Sequence, residues 1–234
     1  MAAALLAASS AHAVVTSPGK QIEALNRGPV AIQTSGGIFV SGRLLATDPA
    51  GIQFNVYRGG TVLVNSTPLN ELNFLDSGGT ASTRYSIRPV VNGVVQPEWR
   101  AGTTWTTPYL SVPVQKPAGG TTPDGVAYTY EINDGTPADL DGDGTYEIIV
   151  KWQPTNAKDN SQSGYTGNTL VDAYKLDGTR MWRIDLGRNI RAGAHYTTIV
   201  AYDFDGDGKA EVMMKTADGT RDGAGVTIGS SSAD

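Results

Sequence analysis

The fold is decided by the stretch DLDGDGTYEIIVKW, residues 139–152, which opens with three aspartates and two glycines in six positions. Residues 203–216 repeat the pattern as DFDGDGKAEVMMKT, 64 positions further along (203 − 139). Each copy passes from an acidic, glycine-rich loop into an apolar run. Two copies in the same register indicate a structural repeat, in which a loop is followed by a β-strand.

Each acidic loop has the spacing of a metal-binding loop. Carboxylates occupy positions 1, 3, 5 and 9, a glycine at position 6 permits a sharp turn, and the carbonyl at position 7 can face an ion. Oxygen donors at this density favour Ca2+ over zinc or copper. The predicted ligands are Asp139, Asp141, Asp143, Thr145 and Glu147 in the first loop, and Asp203, Asp205, Asp207, Lys209 and Glu211 in the second.

The two loops differ from EF-hands in their second half. An EF-hand needs a bidentate glutamate at position 12 and then a helix, whereas position 12 here is Val150 or Met214 and a strand follows. Surface turns without an ion are the alternative, but three carboxylates so close together would repel one another without a cation. Because all the ligands come from one loop, a structural ion is favoured over a catalytic one, which keeps an open coordination position.

Composition excludes several classes of protein. The 234 residues include 29 glycines and 12 prolines, and 39% are hydrophobic, which is typical of short strands joined by tight turns around a real core. A net charge of −5 argues against nucleic acid as a partner. The absence of cysteine rules out disulfides, cysteine-ligated metals and thiol catalysis.

The N-terminus, MAAALLAASSAHAVV, predicts export. Residues 1–13 combine a short apolar run with a small-x-small cleavage triplet, so we interpret them as a signal peptide. No basic residue precedes the run, so the signal peptide is either truncated at its start or a weak one. An alanine-rich tail is the alternative. Since no stretch reaches the roughly 20 apolar residues of a membrane span, we expect a secreted or periplasmic protein that does not bind a membrane.

The first half of the chain is interpreted as a small β-sandwich-like domain. Residues 20–107 contain short apolar runs separated by hairpin dipeptides, Gly59-Gly60 and Asn92-Gly93. Several strands at this spacing favour two packed sheets. Residues 108–125 follow with four prolines and three glycines, which is the composition of a linker.

The second half is interpreted as the first part of a β-propeller. Residues 126–234 repeat loop, strand, hairpin and strand, with one hairpin at Asp177-Gly178. A polar insert at 153–169 accounts for a repeat longer than the usual blade. There is room for barely two blades, so we expect an incomplete propeller and a fragment of a longer protein. The predicted fold class is all-β.

Other candidate residues are ambiguous. His195 has no partner carboxylate nearby in the sequence, so we favour a packed or hydrogen-bonded strand residue over a base or ligand. Arg188 and Arg191 could clamp a carboxylate or hold neighbouring loops. Trp152 and Trp182 could stack on sugars, but at strand positions they more often pack in the core.

Residues 139–220 closely resemble the rhamnogalacturonan lyases of polysaccharide lyase family 11. The resemblance is carried by the two acidic stretches together with NAKDNSQSGYTGN and DAYKLDGTRMWRIDLGRNIRAGAHYT. ALNRGPVAI, GRLLATD, FNVYRGG and RPVVNG are similar to that family's β-sheet domain. The resemblance implies a β domain followed by an eight-bladed propeller with several calcium ions, which cleaves rhamnogalacturonan I by β-elimination at galacturonate.

The resemblance also implies roles for single residues. Asn133 matches a substrate-contacting position and Asp134 a calcium ligand. Gln153, a further candidate substrate contact, stands where the family usually has aspartate, which would alter a sugar or calcium contact there. Gly42 stands where the family usually has tryptophan, so we expect the packing around this position to differ from that of the family.

The catalytic base and the metal-binding histidines of the family are expected beyond residue 234, so the resemblance assigns no catalytic residue to this chain. The chain alone is therefore expected to be inactive. We expect the whole protein to be a monomer whose partner is pectic polysaccharide. The alternative is a non-catalytic calcium-loop propeller for glycan binding or adhesion.

Overall fold

The computed structural model describes residues 24–193 and 195–233. The described residues form β-strands and no helix, which confirms the all-β prediction. None of the described residues forms a helix that could cross a membrane. The signal peptide expected at residues 1–13 lies outside the described residues.

The described chain divides into two compact units, residues 24–111 and 112–233. The division falls inside the linker predicted at 108–125, and that linker and the domain limits around it remain predictions.

The first unit is built of two sheets. One has the order β1-β2-β5, and the other has the order β4-β3-β6-β7, with β8 paired to β6. The strands are β1 (Val30–Thr34), β2 (Gly37–Ser41), β3 (Gln53–Arg58), β4 (Val62–Leu63), β5 (Asn73–Asp76), β6 (Tyr85–Val91), β7 (Val94–Val95) and β8 (Trp99–Arg100).

A single core joins these two sheets, as a sandwich-like domain requires. Ile38 and Val40 from β2 contact the same buried cluster as Phe54 and Val56 from β3. Alternate residues of β2 are buried because successive side chains of a strand point to opposite faces. Burial of each such side chain contributes about 1.5–3 kcal/mol.

Gly42, which replaces the tryptophan usual in the family, lies beside this core. A Cβ atom at Gly42 would lie 2.9 Å from Cδ2 of Leu72 and 3.4 Å from Cδ1 of Ile87. These two side chains therefore fill the space next to the glycine, and a large residue would require both to move.

The hairpins predicted in the first unit are confirmed. Gly59 and Gly60 connect β3 to β4, which pair antiparallel. Asn92 and Gly93 connect β6 to β7 in the same way. All four residues have positive φ. Asn92 and Gly93 form a two-residue loop, since Val91 pairs with Val94, and positive φ at both positions is what a type I′ turn requires. The other loop has a third residue, Thr61, since Arg58 pairs with Val62.

The second unit contains a four-stranded antiparallel meander, β11-β12-β13-β14, and two two-stranded sheets. The hairpin predicted at Asp177-Gly178 is confirmed, since it connects β13 to β14. The strands are β9 (Gly120–Thr121), β10 (Ala127–Tyr128), β11 (Tyr130–Ala138), β12 (Glu147–Pro154), β13 (Leu170–Tyr174), β14 (Arg180–Asp185), β15 (Val200–Tyr202) and β16 (Glu211–Met213).

Both faces of the two central strands of the meander, β12 and β13, are buried. On one face, Val150 and Trp152 pack with Tyr174. On the other, Ile149 and Val171 form a cluster that includes residues of the second repeat, among them Ala210, Ile199, Ala201, Val212 and Met214. The sheet of the first repeat and the strands of the second therefore stack face to face.

Candidate metal and substrate site

The first acidic loop folds around two buried carboxylates. Asp139 follows β11, and its carboxylate oxygens accept hydrogen bonds from the backbone N–H groups of Gly142 (2.9 Å) and Gly144 (2.8 Å). Glu147 begins β12 and accepts one from the N–H of Leu140 (2.8 Å). The tight path is possible because both glycines adopt positive φ, 78° and 84°.

The second loop reproduces these contacts one by one. Asp203 accepts hydrogen bonds from the N–H groups of Gly206 (2.7 Å) and Gly208 (3.0 Å). Glu211 accepts one from the N–H of Phe204 (2.8 Å). The sequence repeat is therefore also a repeat of backbone structure.

Three predicted carboxylate ligands come together in each loop. Within each group, one oxygen from each side chain lies within 4.8 Å of the others; the groups are Asp139, Asp141 and Glu147, and Asp203, Asp205 and Glu211. Asp143 and Asp207 are exposed, lie outside these groups, and accept hydrogen bonds from the N–H groups two residues ahead. Thr145 and Lys209 donate those hydrogen bonds, and their carbonyls remain predicted ligands.

The electrostatics of the first group favour a bound cation. Burial raises the pKa of Asp139, and the neighbouring carboxylates of Asp143 and Asp141 raise it further. Burial also raises the pKa of Glu147, with the same neighbours acting in the same direction. The hydrogen bond from Lys175 Nζ, at 2.6 Å, lowers the pKa of Asp141. An all-oxygen donor set with this excess of negative charge fits Ca2+.

The two loops are in direct contact. The N–H of Ala210 donates a 2.7 Å hydrogen bond to the carbonyl of Asp139, the residue that opens the first loop. A Cβ atom at Gly142 would lie 3.0 Å from the carbonyl oxygen of Gly208. The backbone of one loop thus supports the backbone of the other.

The predicted substrate residue Asn133 lies at a β-bulge. Ile132 pairs with Trp152, but Asp134 pairs with Lys151, so Asn133 is the extra residue between the two pairs. It is exposed. Bulges re-aim side chains and are frequent next to active sites, which suits a residue that contacts a ligand.

Asp134 and Gln153 share one face of the meander. Asp134 pairs directly with Lys151, and Gln153 follows two residues later on the same strand. Lys151 is buried, and its Nζ lies 4.0 Å from Asp134 Oδ2 and 3.3 Å from the carbonyl oxygen of Tyr196. Asp134 belongs to neither of the two carboxylate groups found in the described residues. The Oε1 atom of Gln153 is buried and has no hydrogen-bond partner among those residues.

The expectation that His195 is a packed strand residue is wrong. It is exposed and lies in a turn before β15, on the wall of a cavity that also includes Lys215. Lys215 was not singled out from the sequence. A signal was present, because Lys215 stands 12 positions after Asp203, as Lys151 stands 12 positions after Asp139.

Arg191, Trp152 and Trp182 have structural roles, as the second of the two interpretations of each residue predicted. Arg191 donates a hydrogen bond to the carbonyl of Gly164 (3.0 Å) and so holds the polar insert. Trp152 is buried, and its Nε1 donates to Asp172 (2.9 Å). Trp182 packs against the core between the two repeats.

The comparisons with known proteins define the class of this protein. A family model described as rhamnogalacturonan lyase family 11, C-terminal domain, matches residues 109–234. A model of the rhamnogalacturonan I lyase β-sheet domain matches residues 20–105. The chain therefore belongs to rhamnogalacturonan lyase family 11, and the resemblance inferred from the sequence is confirmed.

Two curated relatives share more than half of their aligned residues with this chain. The chain is 60% identical to the rhamnogalacturonan endolyase YesW of Bacillus subtilis strain 168 over 92% of its length, which is 34% of that protein. It is 53% identical to the exolyase YesX of the same organism, covering 92% of this chain and 35% of YesX. The chain thus spans about a third of the length of these relatives.

Solved structures agree with these matches. The crystal structure of YesW superimposes with a TM-score of 0.88, over 92% of this chain and 37% of that one. The rhamnogalacturonan lyase PL11 of Bacillus licheniformis superimposes with a TM-score of 0.89 at 59% identity, with the same coverage.

Proposed function

We propose that this chain is part of a calcium-dependent lyase that degrades rhamnogalacturonan I. The observation that carries the proposal is the pair of family matches, in order, over residues 20–105 and 109–234. The identity of 60% to an endolyase and 53% to an exolyase supports the same reaction class. The protein would be a secreted or periplasmic monomer that acts on pectic polysaccharide.

The second unit would form the first part of an eight-bladed β-propeller. A four-stranded antiparallel meander is the usual form of one blade, and the face-to-face packing of the two repeats supports stacked blades. Calcium ions held by the two carboxylate groups would neutralise their charge and tie each loop to the strand that follows it. The ions in these loops would be structural.

The reaction would be a β-elimination at galacturonate. A base would remove the proton from C5, the bond from C4 to the glycosidic oxygen would break, a double bond would form between C4 and C5, and the departing oxygen would leave on the neighbouring sugar and take up a proton. A bound calcium ion would supply charge neutralisation at the uronate carboxylate. In this chain, the exposed Asn133 and the neighbouring Gln153 would contact the sugar, and Asp134 would serve a calcium ion next to them. The base would lie outside these residues.

The test uses the full-length protein and purified rhamnogalacturonan I. Product is followed by the ultraviolet absorbance of the unsaturated uronide, with and without a calcium chelator. We expect a rise that the chelator abolishes and that restored calcium recovers. Binding of the polysaccharide with no unsaturated product would support the non-catalytic alternative. Because the 234-residue chain covers only about a third of its relatives, we expect no product from it alone.

A further inference from the structure

A cavity of about 590 Å³ opens in the second unit, within the volume range of small-ligand sites. Its wall includes Arg191, His195, Thr197 and Lys215, together with Asn160 from the polar insert. None of the predicted calcium ligands or substrate residues belongs to this wall. The cavity nevertheless adjoins the candidate site, because the carbonyl of its wall residue Tyr196 accepts a hydrogen bond from Lys151, whose Nζ lies 4.0 Å from Asp134 Oδ2.

The wall is fixed by hydrogen bonds between the polar insert and the segment before β15. Besides the Arg191 contact with Gly164, the N–H of Lys158 donates to the carbonyl of Ala192 (3.0 Å). The N–H of Ala192 donates to Oγ1 of Thr166 (3.2 Å). NAKDNSQSGYTGN and RNIRAGAHYT, two stretches that carry the family resemblance, thus meet at this cavity. Arg191 is a positioning residue, since its guanidinium is occupied by the insert.

The charge of the cavity favours an anion. Arg191, Lys215 and His195 line it, and no carboxylate is among the described residues of its wall. Asp159 interacts electrostatically with His195, and its carboxylate accepts a hydrogen bond from the N–H of Ser161 (3.1 Å). Lys215 is exposed within the part of the chain that the structure describes.

Thr197 is an independent sign of a binding site. Its φ angle is 63°, in the left-handed region, where a β-branched residue is strained. Such strain persists where the surroundings impose it and is concentrated at ligand sites. The residue is 7% exposed, and its Oγ1 is buried without a hydrogen-bond partner among the described residues. A ligand hydroxyl in the cavity would satisfy this group.

We propose that this cavity is a subsite for one uronic acid residue of the polysaccharide, with Lys215 and His195 binding its carboxylate. Thr197 and Asn160 bind hydroxyl groups of the same sugar, and the ring of Tyr196 offers an apolar surface to its carbon face. The assignment rests on the proposed function for the identity of the ligand. Its physical basis, a cationic cavity with an unsatisfied buried hydroxyl, is independent of the lyase reaction.

The test measures binding of single sugars, which the enzyme cannot cleave. Calcium-loaded full-length protein is titrated with D-galacturonate and with its neutral counterpart D-galactose by saturation-transfer NMR. We expect galacturonate to bind at least about tenfold more tightly, because a charge-assisted contact contributes that much or more. Lys215→Gln and His195→Gln should each weaken galacturonate binding measurably while leaving galactose binding unchanged, and any binding at the proposed lyase site should remain in both variants. Both residues are exposed, so we expect the variants to fold, as their thermal midpoints would verify.

Lys116→Gln is the matched control, because Lys116 is exposed in the same unit and does not line the cavity. It should leave galacturonate binding unchanged. Equal binding of the two sugars, or unchanged binding in both cavity variants, would overturn the subsite.

The failure of the proposed function would look different. Galacturonate binding that depends on Lys215, without any unsaturated product from rhamnogalacturonan I, would reject the lyase and keep the anion subsite. Calcium-dependent cleavage with the same KM in wild type and Lys215→Gln would keep the lyase and reject the subsite.

Discussion

Asp172 in β13 is a buried acid that several hydrogen bonds hold in the second unit. It is fully buried and accepts hydrogen bonds from Trp152 Nε1 (2.9 Å), Tyr174 OH (2.5 Å) and Arg183 Nε (2.6 Å). Arg183 also donates to the carbonyl of Gln115, so the network connects the segment before β9 to the meander. A buried carboxylate is tolerated only when paired in this way.

Asp172→Ala should destabilise the protein by about 2–3 kcal/mol, because it leaves the buried Nε1 of Trp152 without its acceptor and removes the carboxylate partner of the half-buried Arg183. The unfolding midpoint in denaturant measures this effect. Arg180→Ala, an exposed change on β14, should remain within about 0.5 kcal/mol of wild type. Similar midpoints for the two variants would show that the network contributes little.

A second buried acid, Asp76, makes the first unit sensitive to acid. Its carboxylate is paired with Arg58 by two hydrogen bonds of 2.5 Å and accepts another from Tyr85 OH (2.6 Å). The hydrogen bonds from Arg58 are the main cause that lowers the pKa of Asp76 to about 2.

Because the folded pKa of Asp76 lies below its unfolded value, the ion pair contributes stability that is present above about pH 4 and lost as the pH falls toward about 2. The shift corresponds to about 2 kcal/mol. The difference in unfolding free energy between wild type and Asp76→Asn should therefore shrink on acidification over that range. Glu71→Gln, an exposed change in the same unit, should follow wild type. A difference that stays constant with pH would contradict this account.

At the scale of elements, the two acidic loops hold each other in place through backbone contacts. The hydrogen bond from Ala210 to the carbonyl of Asp139 joins the start of β16 to the start of the first loop. The close approach of Gly142 to Gly208 leaves little room for either loop to move alone. Loss of an ion from one loop should therefore loosen the other.

Asp203→Asn in the full-length protein should release more than the one calcium ion that its own loop is proposed to bind. Bound calcium per molecule, measured after gel filtration at low free calcium, should fall by nearly two relative to wild type. Asp177→Asn changes an exposed turn carboxylate outside both groups and should leave the calcium content unchanged. A loss of only one ion would mean that the loops bind independently.

The sequence predicted those elements whose geometry is local. Asn92-Gly93 specifies its own turn, and the spacing from Asp139 to Glu147 specifies which side chains can converge. The bulge at Asn133 was not predicted, because it depends on the register of β12 against β11. The cavity was not predicted either, because it forms only when the insert packs on the segment around Arg191.

At the scale of the molecule, the two units differ in how they are stabilised. The first has a core that combines both of its sheets, and none of its described residues joins an acidic group able to hold a metal. The second has two smaller clusters on the two faces of its meander and carries both acidic groups. Calcium should therefore stabilise the second unit selectively.

Hydrogen exchange of the full-length protein can test this selectivity. With a chelator, amides in β12 and β15–β16 should exchange faster, because uncompensated carboxylates destabilise the loops that begin and end these strands. Amides in β3 and β6 should keep their protection, since their core contains no ion-dependent contact. These strands are thus the internal control. Equal loss of protection in both units would mean that calcium stabilises the chain as a whole, and loss in neither would remove the structural role of the loops.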